Sequence, residues 1–240
     1  MTNGLFITGT DTDAGKTIVT AGLLRALRRR DIDAVSMKPV QTGAELIDGR
    51  SASPDLRVHH AAAEFTPAPD ELKWMAPYLY EPACSPHLAG RMAGRYAQIN
   101  VIRKCFEKLS SRHAMVLVEG AGGVLAPVND RETMLDLMLT LDLPVVVVAR
   151  RGLGTINHTL LSVEAIGDVG LTVLGVVFNE TENVPMDFIR EDNPRAVAQF
   201  GDVAVLGNVD YMPSFDDAGW AQFDSECADL ITAVCRLLRA

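Results

Sequence analysis

The chain has 240 residues, 22 basic against 31 acidic side chains and a net charge of −9, with 48% hydrophobic and 22% charged residues. That composition excludes disorder, collagen-like repeats and a small disulfide scaffold, and the negative balance argues against nucleic acid as a partner. No apolar run approaches the ~20 residues of a membrane span, and the start has neither the basic residues nor the apolar length of a signal peptide. The four cysteines, Cys84, Cys105, Cys227 and Cys235, contain no C-x-x-C pair, so a reducing cytoplasm is the expected compartment.

Short apolar runs alternate with longer helix-patterned segments. Strands are expected at 4–8, 34–38, 115–119, 145–149 and 173–179, with a weaker one at 203–206. Val145-Val146-Val147-Val148 lacks polar alternation, as befits a strand covered on both faces. Helices are expected at 16–29, 99–110, 133–141, 155–169, 186–200 and 222–238. The stretch 43–97 breaks the rhythm; it reads as a segment covering the active site, with one helix at 55–64. These elements predict an α/β fold, a mostly parallel central sheet flanked by helices, in one domain over 1–240. Ligands in such sheets bind beyond the carboxyl ends of the strands.

At the first such end stands Gly9-Thr10-Asp11-Thr12-Asp13-Ala14-Gly15-Lys16-Thr17. Its glycines let backbone N–H groups face phosphate oxygens, and the following helix adds positive potential. Lys16 would reach the β- and γ-phosphates and the Thr17 hydroxyl would bind Mg²⁺. The spacing, G-x5-G-K-T, is one residue longer than the usual phosphate loop, and the fold is P-loop NTPase-like. Partition and septum-positioning ATPases carry an extra lysine just after the first glycine of this loop. Here Thr10 and Asp11 follow it, which disfavours a nucleotide switch. Lys38, at the end of the second strand, projects near the loop. Glu119 ends a buried strand where a carboxylate can reach magnesium, and Gly120, Ala121 and Gly122 after it permit close approach to a ligand. Ser85-Pro86-His87 lacks a nucleophile elbow and reads as loop packing. His59-His60, His113 and His158 read as structural.

Residues 9–17, Lys38-Pro39-Val40-Gln41-Thr42-Gly43, Ser85-Pro86-His87, residues 118–123 and Gly154-Thr155-Ile156-Asn157-His158 follow the order and spacing of the dethiobiotin synthetases, which the chain resembles from residue 4 to about 211. The resemblance implies an ATP- and Mg²⁺-dependent cyclo-ligase that forms dethiobiotin from 7,8-diaminopelargonic acid and CO₂. It puts the triphosphate on Asp13, Ala14, Gly15, Lys16 and Thr17, and magnesium on Thr17, Asp55 and Glu119, with Asp48 as the alternative to Asp55. Lys38 and Lys16 become catalytic, while Thr10 and Thr42 contact substrate. Asn179 reads adenine, a base its carboxamide can both donate to and accept from. Val209, Asp210 and Tyr211 form the second adenine-side loop. Asp210 stands where the family commonly has proline, leaving nucleobase preference open. Gly154, Thr155 and Asn157 would hold the substrate's carboxylate tail from the partner subunit, implying a homodimer whose active site is completed across the interface. The rival enzyme class, an ATP-dependent amidotransferase of corrinoid synthesis, would bring a glutaminase domain and a Cys-His pattern that do not appear.

Overall fold

The computed structural model describes residues 3–239. In chain order the elements are β1 (Gly4–Gly9), α1 (Lys16–Arg28), β2 (Ala34–Met37), β3 (Val40–Thr42), β4 (Glu45–Ile47), β5 (Arg50–Ala52), α2 (Pro54–Ala62), α3 (Leu72–Met75), β6 (Tyr78–Tyr80), α4 (Pro86–Met92) and α5 (Ile99–Ser110). They continue with β7 (Met115–Gly123), α6 (Met134–Leu141), β8 (Val145–Arg150), α7 (Thr155–Asp168), β9 (Val173–Asn179), α8 (Phe188–Gly201), β10 (Val205–Val209), α9 (Asp217–Glu226) and α10 (Ala228–Leu237).

Six strands form the central sheet in the order β10-β9-β8-β1-β7-β2, with every neighbouring pair parallel. The apolar runs have their cause in two cores. Leu5, Ile7, Leu117, Val146 and Val148 point to one face, where α1, α9 and α10 bring Leu23, Leu27, Phe223 and Val234. Phe6, Val116, Val118, Val145 and Val147 point to the other, under Ile102, Leu109, Leu137, Met138 and Ile166 of α5, α6 and α7. Burial on both faces removes any reason for polar alternation. The chain first moves from β1 outward to β2, and after β7 it crosses to β8 on the far side of β1. The reversal leaves a crevice at the carboxyl end of β1, the usual ligand position in open parallel sheets.

Several boundaries differ from those read in the sequence. The weak strand expected at 203–206 lies at Val205–Val209; it includes Gly207, where a Cβ would sit 2.8 Å from Cys227 Sγ. Close packing of the C-terminal helices thus requires glycine in a strand, where composition argues against one. The helix expected at 222–238 is two helices joined at Cys227, whose φ of −113° and ψ of 23° break the run. It starts early because Asp216 accepts hydrogen bonds from the backbone N–H groups of Ala218 and Gly219, as an N-cap does. The stretch 43–97 holds β6, which pairs with β3 just before it, the β4–β5 pair, and the expected helix, which spans Pro54–Ala62. Ser53 caps that helix by accepting from Leu56 N–H at 3.1 Å, and Pro54 occupies its first turn, where no N–H is missed. Among the described residues no helix is long and apolar enough to cross a membrane.

Candidate functional site

A cavity of about 840 Å³ opens beyond the carboxyl ends of β1, β2 and β7. Asp13, Gly15, Lys16 and Thr17 line it from the phosphate loop, Lys38 and Thr42 from the second strand and its continuation, and Asp55, Glu119, Ala121 and Gly122 from the other elements. Ala14, expected on the triphosphate, is fully buried and does not line the cavity. Thr10 is half-buried and does not line the cavity.

The loop turns through left-handed backbone at Asp13 (φ 58°) and Gly15 (φ 98°), and α1 begins at Lys16. Its outer bend is held by Arg150, whose Nη2 donates to Asp11 Oδ2 and to Thr12 O, both at 2.9 Å. Lys16 Nζ donates to Asp11 O at 2.7 Å. Burial and the neighbouring Lys38 lower the Lys16 pKa to about 8.

Lys38, just past β2, is 5% exposed. Its Nζ lies 2.6 Å from Asp55 Oδ2 and 2.7 Å from Glu119 Oε1, and it donates to Gly120 O at 3.0 Å. Burial works against this charge, but the two carboxylates outweigh it and raise the lysine pKa above its ordinary value. Lys38 therefore stays an ammonium at neutral pH, a donor and a charge rather than a base. The same contacts run the other way for Glu119. Burial opposes its ionisation, yet Lys38 and His59 hold its carboxyl far below the usual range. Thr17 Oγ1 donates to Glu119 Oε1 at 3.0 Å.

Asp55 and Glu119 thus converge on the Lys38 ammonium, and the Thr17 hydroxyl meets the same Glu119 oxygen. A hydroxyl and two carboxylates are hard oxygen donors of the kind that hold Mg²⁺ jointly with substrate phosphates. Asp48 lies apart, exposed in the β4–β5 turn at φ 49°.

A smaller cavity of about 150 Å³ adjoins the loop and is lined by Gly15, Asn179, Asp210 and Tyr211, among others. Asn179 is 4% exposed at the end of β9, and its amide lies directly over Gly15, where a Cβ would come within 2.2 Å of Nδ2. Val209 is in the core and offers its carbonyl, which accepts from Glu180 N–H at 2.8 Å. Asp210 is paired with Arg151, so its carboxylate is already engaged. Gly154 caps α7 at φ 92°. Thr155 is buried with its hydroxyl 3.2 Å from that of Thr159, and Leu153 beside them is 89% exposed. Gly154, Thr155 and Asn157 line neither cavity of their own chain.

Several wall residues were read in the sequence as packing or passed over. Ser85 and Pro86 line the large cavity, as does Thr181. His59, read as structural, meets Glu119 Oε2 at 2.8 Å through its Nε2. The available signal was its spacing, four residues after Asp55 on one helix, which puts both side chains on the same face.

The AAA domain family profile matches residues 3–218. An ATP-dependent dethiobiotin synthetase BioD of Anaeromyxobacter dehalogenans is 42% identical over 203 residues, covering 85% of each chain. The namesake of another Anaeromyxobacter strain is 46% identical over 178 residues, 74% of this chain and 77% of that one. That of Anoxybacillus flavithermus is 39% identical over 88% of this chain and 93% of its own. Among solved structures, the cell division ATPase MinD of Pyrococcus furiosus superposes with a TM-score of 0.59 at 16% identity, over 99% of this chain and 100% of its own. The septum site-determining protein MinD of Pyrococcus horikoshii, complexed with Mg-ADP, gives 0.59 at 17% identity, over 99% and 97%. At such identities these neighbours share the fold alone.

Proposed function

The chain belongs to the ATP-dependent dethiobiotin synthetases within the AAA domain family, and on that premise we propose that it closes the cyclic urea of dethiobiotin from 7,8-diaminopelargonic acid, CO₂ and ATP. Relatives of that name, at 39–46% identity over most of the chain, support an ATP-dependent enzyme of biotin biosynthesis. The observation that carries the chemical reading is the ammonium of Lys38, buried at the cavity wall between Asp55 and Glu119 and beside Lys16.

The triphosphate lies along the loop N–H groups of residues 13–17, with its γ-phosphoryl toward Lys16 and Lys38. Asn179 reads the base. Thr17, Asp55 and Glu119 would hold Mg²⁺, which would supply charge neutralisation on the phosphoryl oxygens. Two lysines in one cavity disfavour a third ammonium, so the bound diamine presents a neutral amine. That nitrogen attacks CO₂ and loses a proton, giving a carbamate whose negative oxygens accept hydrogen bonds from the lysines. A carbamate oxygen then attacks the γ-phosphorus, and ADP leaves. The second amine attacks the carbonyl carbon of the resulting mixed anhydride. Phosphate departs, a proton is lost and the five-membered ring closes. Both amines belong to one molecule, so positioning supplies much of the rate. No protein nucleophile takes part.

We further place the active site in a homodimer, with Gly154, Thr155 and Asn157 reaching the partner's substrate carboxylate. Two features support this: α7 begins with backbone donors at its N-terminus, and Gly154, Thr155 and Asn157 line neither cavity of their own chain. Omission assays test the whole reading. ATP consumption should require both the diamine and bicarbonate, and hydrolysis that ignores either one would contradict it. Glu119→Gln should raise the Mg²⁺ needed for half-maximal rate by roughly ten-fold or more, as losing support at a metal site does. An unchanged Mg²⁺ titration would remove Glu119 from the ligand set.

A further inference from the structure

One turn of α2 carries two polar side chains into the site. Asp55 reaches Lys38 at 2.6 Å, and His59 reaches Glu119 Oε2 at 2.8 Å. The two oxygens of Glu119 have separate duties. Oε1 faces Thr17 and Lys38, while Oε2 turns inward to the imidazole. Neither His59 nor Glu119 has any side-chain exposure. A carboxylate only accepts, so His59 Nε2 must carry the hydrogen.

Packing does not account for the ring. His59 Nδ1 is buried with no partner among the described residues, an orphan that a leucine of similar bulk would avoid. Its neighbour His60 also leaves a ring nitrogen, Nε2, without a partner among the described residues, but that ring sits edge-on to Phe65, with centroids 5.6 Å apart, and meets no carboxylate in the site. Among the described residues Glu119 is the one hydrogen-bond partner of the His59 ring.

We infer that His59 is a positioning residue: it clamps Glu119 Oε2 so that Oε1 is presented to the cation site. The role rests on the proposed reading of Thr17, Asp55 and Glu119 as the magnesium ligands. A carboxylate with one oxygen tied by a buried N–H keeps a single rotamer, and outer partners of this kind set the affinity of metal sites. Because Asp55 shares the helix, docking α2 sets both acidic groups together.

The test is calorimetry of a non-hydrolysable ATP analogue, with Mg²⁺ and in EDTA, on wild type, His59→Leu, His59→Asn and His59→Gln, alongside Mg²⁺ titrations of the initial rate. Leucine removes the donor, and asparagine stops short at the Nδ1 position. Each should cut the gain in affinity that Mg²⁺ confers by roughly 10- to 100-fold, with affinity in EDTA near wild type. Glutamine can bring an N–H to the same oxygen and should restore most of that gain. Should leucine fail to fold, asparagine against glutamine makes the same comparison. The inference is overturned if the donor-less variants keep the wild-type Mg²⁺ dependence. It is equally overturned if glutamine is as impaired as asparagine and both lose affinity alike in Mg²⁺ and EDTA, since that marks a role in shape alone. Wild type showing no Mg²⁺-dependent gain is a separate result, which overturns the ligand assignment itself and the role of His59 with it.

Discussion

Lys38→Met should lower kcat by about two to three orders of magnitude, the usual cost of removing a donor aimed at developing negative charge. Methionine keeps most of the length and bulk of the lysine, so the change isolates the ammonium. In the present arrangement that ammonium accounts for contacts to Asp55, Glu119 and the Gly120 carbonyl. Removing it leaves two carboxylates turned toward one unfilled space, where each makes the other harder to ionise. Nucleotide binding, which the proposed reading rests on the loop and Lys16, should persist. The expected signature is therefore a large fall in turnover with a modest change in ATP affinity. Single-turnover rates and calorimetry on the same preparation separate the two, and turnover near wild type would remove Lys38 from the chemistry.

Gly15→Ala should weaken ATP binding by roughly 100-fold. Left-handed backbone costs a residue with a side chain about 1–3 kcal/mol, and Gly15 stands at φ 98°. The new methyl would also come within 2.2 Å of Asn179 Nδ2, so the side chain proposed to read the base has to leave its place. The two penalties fall on different parts of the nucleotide. Inorganic triphosphate, lacking a base, should lose less affinity than ATP. Equal losses for both would mean that the loop alone is disturbed and that Asn179 has no part in binding; an alanine variant binding ATP as wild type does would contradict the loop assignment.

What could be read in advance depended on how local the cause was. Gly9 through Thr17 was legible because spacing along the chain itself makes a phosphate loop. The central strands were legible because helices on both faces leave uninterrupted apolar runs, as from Val145 to Ala149. The pairing of β3 with β6 was not, since it joins Val40–Thr42 to Tyr78–Tyr80 across a long excursion with no periodic signal. Gly207 concealed how far the weak last strand runs because its cause, the approach of Cys227, lies twenty residues further along. In the site, Lys38 and Glu119 could be placed at strand ends, but their direct contact is a product of sheet order. His59 was hidden by its neighbour: an adjacent histidine pair resembles packing until α2 is docked and only one ring meets a carboxylate.

The geometry of α2 sets unequal tolerances to a change in chain length. Inserting one residue between Asp55 and His59 would swing the imidazole by about 100° around the helix, off Glu119, while leaving Asp55 in place. An extra residue at Asp48–Gly49, in the exposed turn of the β4–β5 hairpin, would be absorbed at the surface. Natural length variation in this part of the chain should accordingly collect in the hairpin and stop at Ser53, where the helix cap begins to count register.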